Sequence, residues 1–508
     1  MISSNSFRLP FLILTLGTLG ACGSDSNESS ELDNTLNNLI NEMGLNDFPQ
    51  RDLPNITDAL PQLGKKLFFT KALGGDKDSA CVTCHHPVLG GGDNLSLSVG
   101  VTSNNSDLLG LGRIHMSADE ETLPSVPRNA PTVFNMGFWD KSLFHDSRVE
   151  SLSSTPGTNG SGGDIRSPDT DFNVADENSG NNLTAAQARF PVTSQDEMRG
   201  FTFEADSSND DVRDHLAARL GNYGVGLDEL TTNDWLEEFQ QAYASNDTAE
   251  NLVTYSNIAN AIAEYERSMQ FASHPWQHFM DGDLDAISES AKKGARLFFT
   301  KPEEGGAGCV ACHKGQLFTD ENHHVVAYPQ IGPGKGDGTS GTDDFGRFRE
   351  TGLERDKYAF RTASLLNISV TGPFSHSGSM HDLEQVVRHY INPNQSIADF
   401  VANENNMGVC NLPQFKEMDD CSSIYQNAQS NSESALAKLV AQQNAGTSKI
   451  FKNLQLSDTQ VNNLVAFLEA LTDPCVKDRE CLSPWIPGPS ESVDNLQLDA
   501  VDINGDPL

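Results

Sequence analysis

Two stretches of the chain could do chemistry that its bulk composition does not suggest. CVTCHH runs from Cys81 to His86, and CVACHK runs from Cys309 to Lys314. The chain has nine cysteines, and four of them sit in these two pairs. A CxxC pair by itself serves as a redox dithiol, as half of a zinc site, or as a haem anchor. The histidine that follows decides among them. In CxxCH both thiols form thioethers with the vinyl groups of one haem, and the adjacent imidazole turns back to ligate its iron. Two CxxC pairs would also satisfy a four-thiolate zinc site, but zinc gives no reason for both histidines. Cys81, Cys84 and His85 are therefore assigned to one covalent c-type haem, and Cys309, Cys312 and His313 to a second.

The elements that must position these anchors repeat as well. GKKLFFTK begins at Gly64 and GARLFFTK at Gly294, each with apolar residues at helical spacing before a glycine-rich turn. Each reads as a short helix that stops just before its anchor. NLVTYSNIANAIAEYERSM carries Leu252, Tyr255, Ile258, Ile262 and Tyr265 on one face and is expected to be an amphipathic helix opening the second domain. SDTQVNNLVAFLEAL starts with a capping box, Ser457 and Gln460, and continues Val461, Leu464, Val465 and Leu468. It resembles the closing helix of small c-type cytochromes, which packs over the lead-in helix. Residues 149–186 and the stretch from Gly332 are rich in Gly, Ser, Asn and Asp and read as loops. Strand signal is weak throughout. The expected fold is mostly α, two cytochrome c-like haem domains with long loops and little strand.

A length of 508 residues is too great for one ordinary core. The repeat sets the division: an N-terminal haem domain over 46–250, a C-terminal haem domain over 251–475, and a tail over 476–508. Residues 1–21 hold one basic residue and an apolar run too short to span a membrane, as in an export signal. The run ends in LGAC, which resembles the lipobox of bacterial lipoproteins and implies lipid on Cys22; an ordinary secretory signal is the other reading. Residues 22–45 are polar and acidic and read as a flexible tether. The expected location is the periplasm, anchored to the outer membrane through Cys22. A net charge of −37, from 34 Lys+Arg against 71 Asp+Glu, repels nucleic acid and anionic headgroups. No nucleic-acid partner is expected, and membrane contact would be through the lipid alone. Of the remaining cysteines, Cys410 with Cys421 and Cys475 with Cys481 is the simplest pairing in an oxidising compartment; three connectivities stay open.

Three further motifs, GGGDNLSLSVG from Gly90, PRNAPTVFN from Pro127 and TGPFSHSGSMHDLEQVVRHY from Thr371, flank the anchors in a fixed order. With them, residues 46–475 resemble the bacterial di-haem cytochrome c peroxidase and MauG family. The resemblance implies that the N-terminal haem is the peroxidatic one and that the C-terminal haem passes electrons to it. Where the peroxidases carry a histidine that caps the first iron, this chain has Val101, which implies an iron open without reductive activation; His115 and His86 are the other imidazoles within sequence reach. QARFPVTSQDEM matches the family's proton-transfer stretch and makes Glu197 and Gln187 the implied catalytic pair. The distal ligand of the second iron, methionine in peroxidases and tyrosine in MauG, falls at Tyr390, with Met380 the alternative. A calcium ion is implied at Asn129 and at the carbonyls of Thr371 and Pro373. The family's inter-haem tryptophan is replaced here by His145, and Trp139 is the nearest aromatic substitute.

Three functions follow as expectations. The first is a peroxidase that reduces hydrogen peroxide to water with electrons from a small cytochrome c or cupredoxin. The second is a MauG-like oxidase that modifies a protein or organic substrate. The third, of a different class, is a non-catalytic di-haem electron carrier, which would have two fully ligated irons.

Overall fold

The computed structural model describes residues 25–45, 48–117, 120–162, 164–401, 408–416, 418, 427–452 and 454–508. The expected signal segment 1–21 and Cys22 lie outside the described residues. Six helices carry the architecture: α1 (Asp25–Met43), α2 (Ala59–Phe69), α3 (Tyr255–Arg267), α4 (Glu289–Phe299), α5 (Leu383–Ile391) and α6 (Asp458–Glu469). Strands are short, two or three residues each, in three small antiparallel sheets. No described helix is long and apolar enough to cross a membrane.

The repeat in sequence is a repeat in packing. α2 lies against α3, and α4 lies against α6. A glycine sets each crossing: a Cβ on Gly64 would sit 1.9 Å from the Ala261 carbonyl oxygen, and one on Gly294 would sit 1.9 Å from that of Asn463. Only a residue without a side chain lets the two backbones approach this closely. Leu63, Leu67, Phe68 and Phe69 then join Ile258, Ile262 and Tyr265 in one core, while Leu297, Phe298 and Phe299 join Val461, Leu464 and Phe467 in a second. The capping box of α6 forms as its sequence requires, with Ser457 N donating to Gln460 Oε1 at 2.9 Å and Gln460 N donating to Ser457 Oγ at 3.3 Å.

Three expectations about organisation are corrected. α3 does not open the second half; it closes the first, because its apolar stripe finds α2 in the same way that α6 finds α4. The acidic segment before residue 46 is not a free tether. Leu32, Leu36 and Ile40, spaced by one helical turn, are buried in the second core, and Lys292 pairs with Asp33 at 2.7 Å. Glu31 and Glu42 are exposed and Asp33 is taken up by that ion pair, so composition alone hid the stripe.

Nor is 476–508 a loose tail. It returns to the first half and runs beside the end of α2: Lys71 N donates to Leu496 O and Leu498 N to Phe69 O. Buried Asp494 accepts from Thr70 Oγ1 at 2.7 Å and from Trp235 Nε1 at 2.9 Å. The two ends of the chain thus exchange halves, α1 joining the second core and the tail joining the first. Deleting residues 483–508 removes the buried side chains of Val493 and Leu498 and strands Thr70 and Trp235. At about 1.5–3 kcal/mol per buried apolar side chain, the first half is expected to lose roughly 3–6 kcal/mol. Urea unfolding followed separately at each haem's absorbance should show the loss at the first haem only.

The halves meet through buried guanidinium groups. Arg128 donates Nε and Nη2 to the Asp344 carboxylate at 2.6 and 2.7 Å and Nη1 to Asp146 at 2.6 Å. Residues 149–186 are more ordered than their composition suggests. Val149–Ser151 pairs with both Ser142–Leu143 and Ile165–Arg166, and buried Arg189 and Ser167 both hold Asp176.

Candidate active site

The first anchor follows α2 through a short turn, and Cys81–Thr83 forms one 3₁₀ turn. That turn presents Cys81, Cys84 and His85 to a cavity of about 1150 Å³. His85 Nδ1 lies 3.2 Å from the Gly91 carbonyl oxygen, an acceptor only, so Nδ1 carries the proton. This leaves Nε2 free to bind a metal, oriented by the backbone bond behind it. Burial pushes the imidazole down to about 4, so it is neutral and ready to bind a metal.

Glu197 and Gln187 line the same cavity. Glu197 sits on a single π-helical turn, Gln195–Arg199, a local feature often found at functional sites. The strand-like segment after Asp93 holds that turn in place: Val101 N donates to Asp196 O, and a Cβ on Gly100 would meet the Glu197 carbonyl oxygen at 2.3 Å. Burial raises the Glu197 carboxyl above its ordinary value, against the opposing pull of Arg148 and Lys335. Gln187 ends the Leu183–Gln187 helix, so the thirty-odd loop residues upstream do not carry it away from Glu197.

Neither imidazole within sequence reach enters this cavity. His86 is fully buried, accepts from Val88 N, and packs on Phe69. His115 is held between Thr102 Oγ1 at 2.9 Å and Thr122 Oγ1 at 2.6 Å. Val101 is fully buried. The remaining imidazole on the lining, His145, has Nε2 bonded to Asn129 O at 3.1 Å.

The second anchor repeats the design. Cys309–Ala311 is a 3₁₀ turn, and Cys309, Cys312 and His313 face a cavity of about 750 Å³ whose wall is almost wholly apolar. His313 Nδ1 donates to Phe318 O at 2.9 Å, again freeing Nε2. Tyr390, three residues beyond buried Val387 on α5, lines this cavity. Burial pushes its phenol up to about 12, with a hydrogen bond from Tyr328 opposing. Met380 does not line it; its backbone pairs with Phe374 instead.

A third cavity, about 1420 Å³, joins the two halves and is lined by both His313 and Tyr390. Trp139, His145 and Arg361 line it as well as the first cavity. Asn129, Thr371 and Pro373 are on its wall. Asn129 donates Nδ2 to Leu95 O at 2.8 Å, which leaves its Oδ1 for another partner. Elsewhere, Cys312, Asp320 and His324 bring potential ligand atoms within 4.8 Å of one another. Of these, His324 Nε2 and Asp320 form an ion pair at 3.0 Å, and a haem thioether at Cys312 would take that sulfur out of the set.

Residues 58–285 match the family model for di-haem cytochrome c peroxidase. Over those residues the chain is similar to the di-haem cytochrome c peroxidase and MauG family. Methylamine utilization protein MauG of Methylorubrum extorquens is 28% identical over 331 residues, covering 65% of this chain and 67% of that protein. Cytochrome c551 peroxidase of Pseudomonas aeruginosa is 27% identical over 334 residues, covering 65% and 71%. A crystal structure of a MauG-like protein associated with microbial copper homeostasis superposes with a TM-score of 0.54 at 20% identity, covering 86% of this chain and 97% of that one, a likeness of fold. Members of this family are oxidoreductases carrying two c-type haems. Both cavities suit that group: each offers two thiols and one imidazole whose second nitrogen is tied back to a backbone carbonyl.

Among the described cysteines, Cys475 and Cys481 form a disulfide with Cα atoms 5.3 Å apart. Cys410 is disulfide-bonded, and Cys421, its expected partner, lies outside the described residues. Sequence reasoning missed Glu266, which lines the first cavity near Cys81 at 3% exposure with Oε2 unpartnered. The signal was present, since Glu266 falls one turn after Ile262 on the buried stripe of α3. Burial raises its carboxyl to about 8. The folded state therefore favours the neutral acid, and the stability this carries is present below about pH 4.5 and lost as pH rises through 8. Glu266→Gln is expected to match the parent protein in urea unfolding at pH 4.5 and to exceed it at pH 8.5.

Proposed function

We propose that the protein is an exported di-haem peroxidase that reduces hydrogen peroxide to water with electrons from a small cytochrome c or cupredoxin. The observation that carries this reading is Glu197, a carboxyl with a raised pKa, facing the cavity that holds Cys81, Cys84 and His85. Bound haem supplies the electrons and the iron at which peroxide reacts. The chain's own residues do the rest. His85, its Nδ1 tied back to the Gly91 carbonyl, would hold that iron through Nε2. Glu197 takes a proton from one peroxide oxygen and gives it to the other, and Gln187 offers an amide to orient the peroxide. The balance is H₂O₂ with two electrons and two protons giving two waters. The second pocket, walled by apolar side chains, suits electron transfer, and Trp139 and His145 are the aromatic groups proposed for the route between.

Tyr390 favours a second reading, a MauG-like oxidase acting on a protein or organic substrate, because an oxygen ligand at that iron lowers its potential where Met380 would raise it. Asn129 Oδ1 with the carbonyls of Thr371 and Pro373 forms the proposed calcium site, a set of hard oxygen donors. The Cys475–Cys481 disulfide supports an oxidising compartment, the periplasm, and Cys22 is the proposed lipid anchor to the outer membrane. The test is steady-state turnover of the holoprotein with hydrogen peroxide and a reduced small cytochrome. Turnover of donor and peroxide in a two-to-one ratio is expected. Two irons inert to peroxide would leave an electron carrier.

A further inference from the structure

Lys335 lies 250 residues beyond His85 (335 − 85) and follows the second anchor in sequence, yet it lines the first cavity. It reaches there from the second half, on the glycine-rich loop after Gly332. That loop is held tightly. Lys335 N donates to Asp343 O at 2.9 Å, Arg349 Nη1 donates to Lys335 O at 2.6 Å, and Tyr358 Oη donates to Asp343 Oδ2 at 2.8 Å. Gly334, at φ +63°, would bring a Cβ within 2.1 Å of Thr342 O, so the chain can make this turn only with glycine.

What the held backbone presents is an ammonium group with no hydrogen bond or ion pair among the described residues. Its surroundings make this costly. Burial, with the like charges of Arg148 and Arg128 facing it, lowers its pKa to about 8. The nearby carboxylate of Asp146 is already engaged by Arg128 at 2.6 Å and by Arg148 at 3.2 Å. Glu197, the other carboxyl that Lys335 feels, forms no ion pair with it. Arg361 adds a second unfilled donor to the same lining, its buried Nη1 having no partner. A cavity wall with surplus positive charge and unfilled donors is built for an anion.

A c-type haem brings two carboxylates. Its thioethers fix the vinyl-bearing edge at Cys81 and Cys84, so the propionates extend from the edge away from those cysteines. We propose that Lys335, together with Arg148, is the carboxylate clamp of the first haem, contributed across the interface by the second half of the chain. The clamp ties the first haem to the loop that also carries Asp343 and Asp344, and hence to the buried Arg128 pair that joins the halves. This inference rests on the first cavity holding a haem, and it makes Lys335 a positioning and tuning residue, not a catalytic one.

The test is potentiometric titration of the intact di-haem protein, comparing the parent with Lys335→Met and Lys335→Arg. Removing a cation beside the propionates favours the ferric state. The first haem's midpoint potential should therefore fall in Lys335→Met, with the second haem unchanged as an internal reference, and Lys335→Arg should restore most of it. An unchanged first-haem potential overturns the clamp. If the potential is unchanged while the apparent KM for peroxide or for an anionic substrate rises, the ammonium serves a substrate anion and the proposal is wrong. Turnover is not part of the primary readout, so a protein inactive toward peroxide but showing the shift would support the clamp and refute only the proposed activity.

Discussion

Glu197→Gln is expected to lower peroxide turnover by about 10²- to 10⁴-fold, the range for losing one positioned proton-transfer group, while both haems remain attached. The substitution keeps the size and hydrogen-bonding capacity of the side chain, and the backbone of the π turn is fixed by Gly100 and Val101 rather than by the carboxyl. What disappears is the ability to accept a proton from one oxygen and return it to the next. Because burial raises this carboxyl, the parent enzyme should lose activity as pH falls through that raised pKa, when the group becomes protonated and can no longer act as the base. The variant should lack this limb. Stopped-flow mixing of peroxide with the reduced protein over a pH series measures both effects. Turnover within about threefold of the parent, with the acidic limb intact, would remove Glu197 from the chemistry.

Tyr390→Met is expected to raise the potential of the second haem by on the order of 0.1 V or more, within the span of about 0.8 V that axial ligands command. The reasoning is local. α5 turns its Leu383 and Val387 face inward, and Tyr390 continues that face into the cavity beside His313. Exchanging an oxygen donor for a thioether stabilises the ferrous state. The low-spin signal of the second haem should change in the same variant. A potential and spectrum both unchanged would mean that Tyr390 packs against the pocket without ligating. Met380 would not inherit the role readily, since it lies outside the lining of that cavity.

The repeated chemistry was legible in the sequence because it is short-range: CxxCH needs only five adjacent residues, and each lead-in helix directly precedes its anchor. The capping box at Ser457 was legible for the same reason. What the sequence hid is long-range. The stripe of α3 reads equally well as the first helix of one half or the last of the other, and only the approach of Gly64 to Ala261 decides. α1 was obscured because acidic residues outnumber the three leucine and isoleucine positions that bury it. The tail carries little periodicity, being held by backbone pairing and by Asp494. Lys335 had no local signal at all, standing in a loop whose glycines say only that the chain turns. Glu266 did have one, an acidic residue at an inward position of an otherwise apolar face.

The measurement that bears most directly on the whole account is denaturing mass spectrometry of the mature protein, produced in a host able to attach haem, followed by peptide mapping. Two haem masses are expected on the polypeptide, one on the peptide containing Cys81 and Cys84 and one on the peptide containing Cys309 and Cys312. A bare polypeptide mass with those four thiols free would contradict the account.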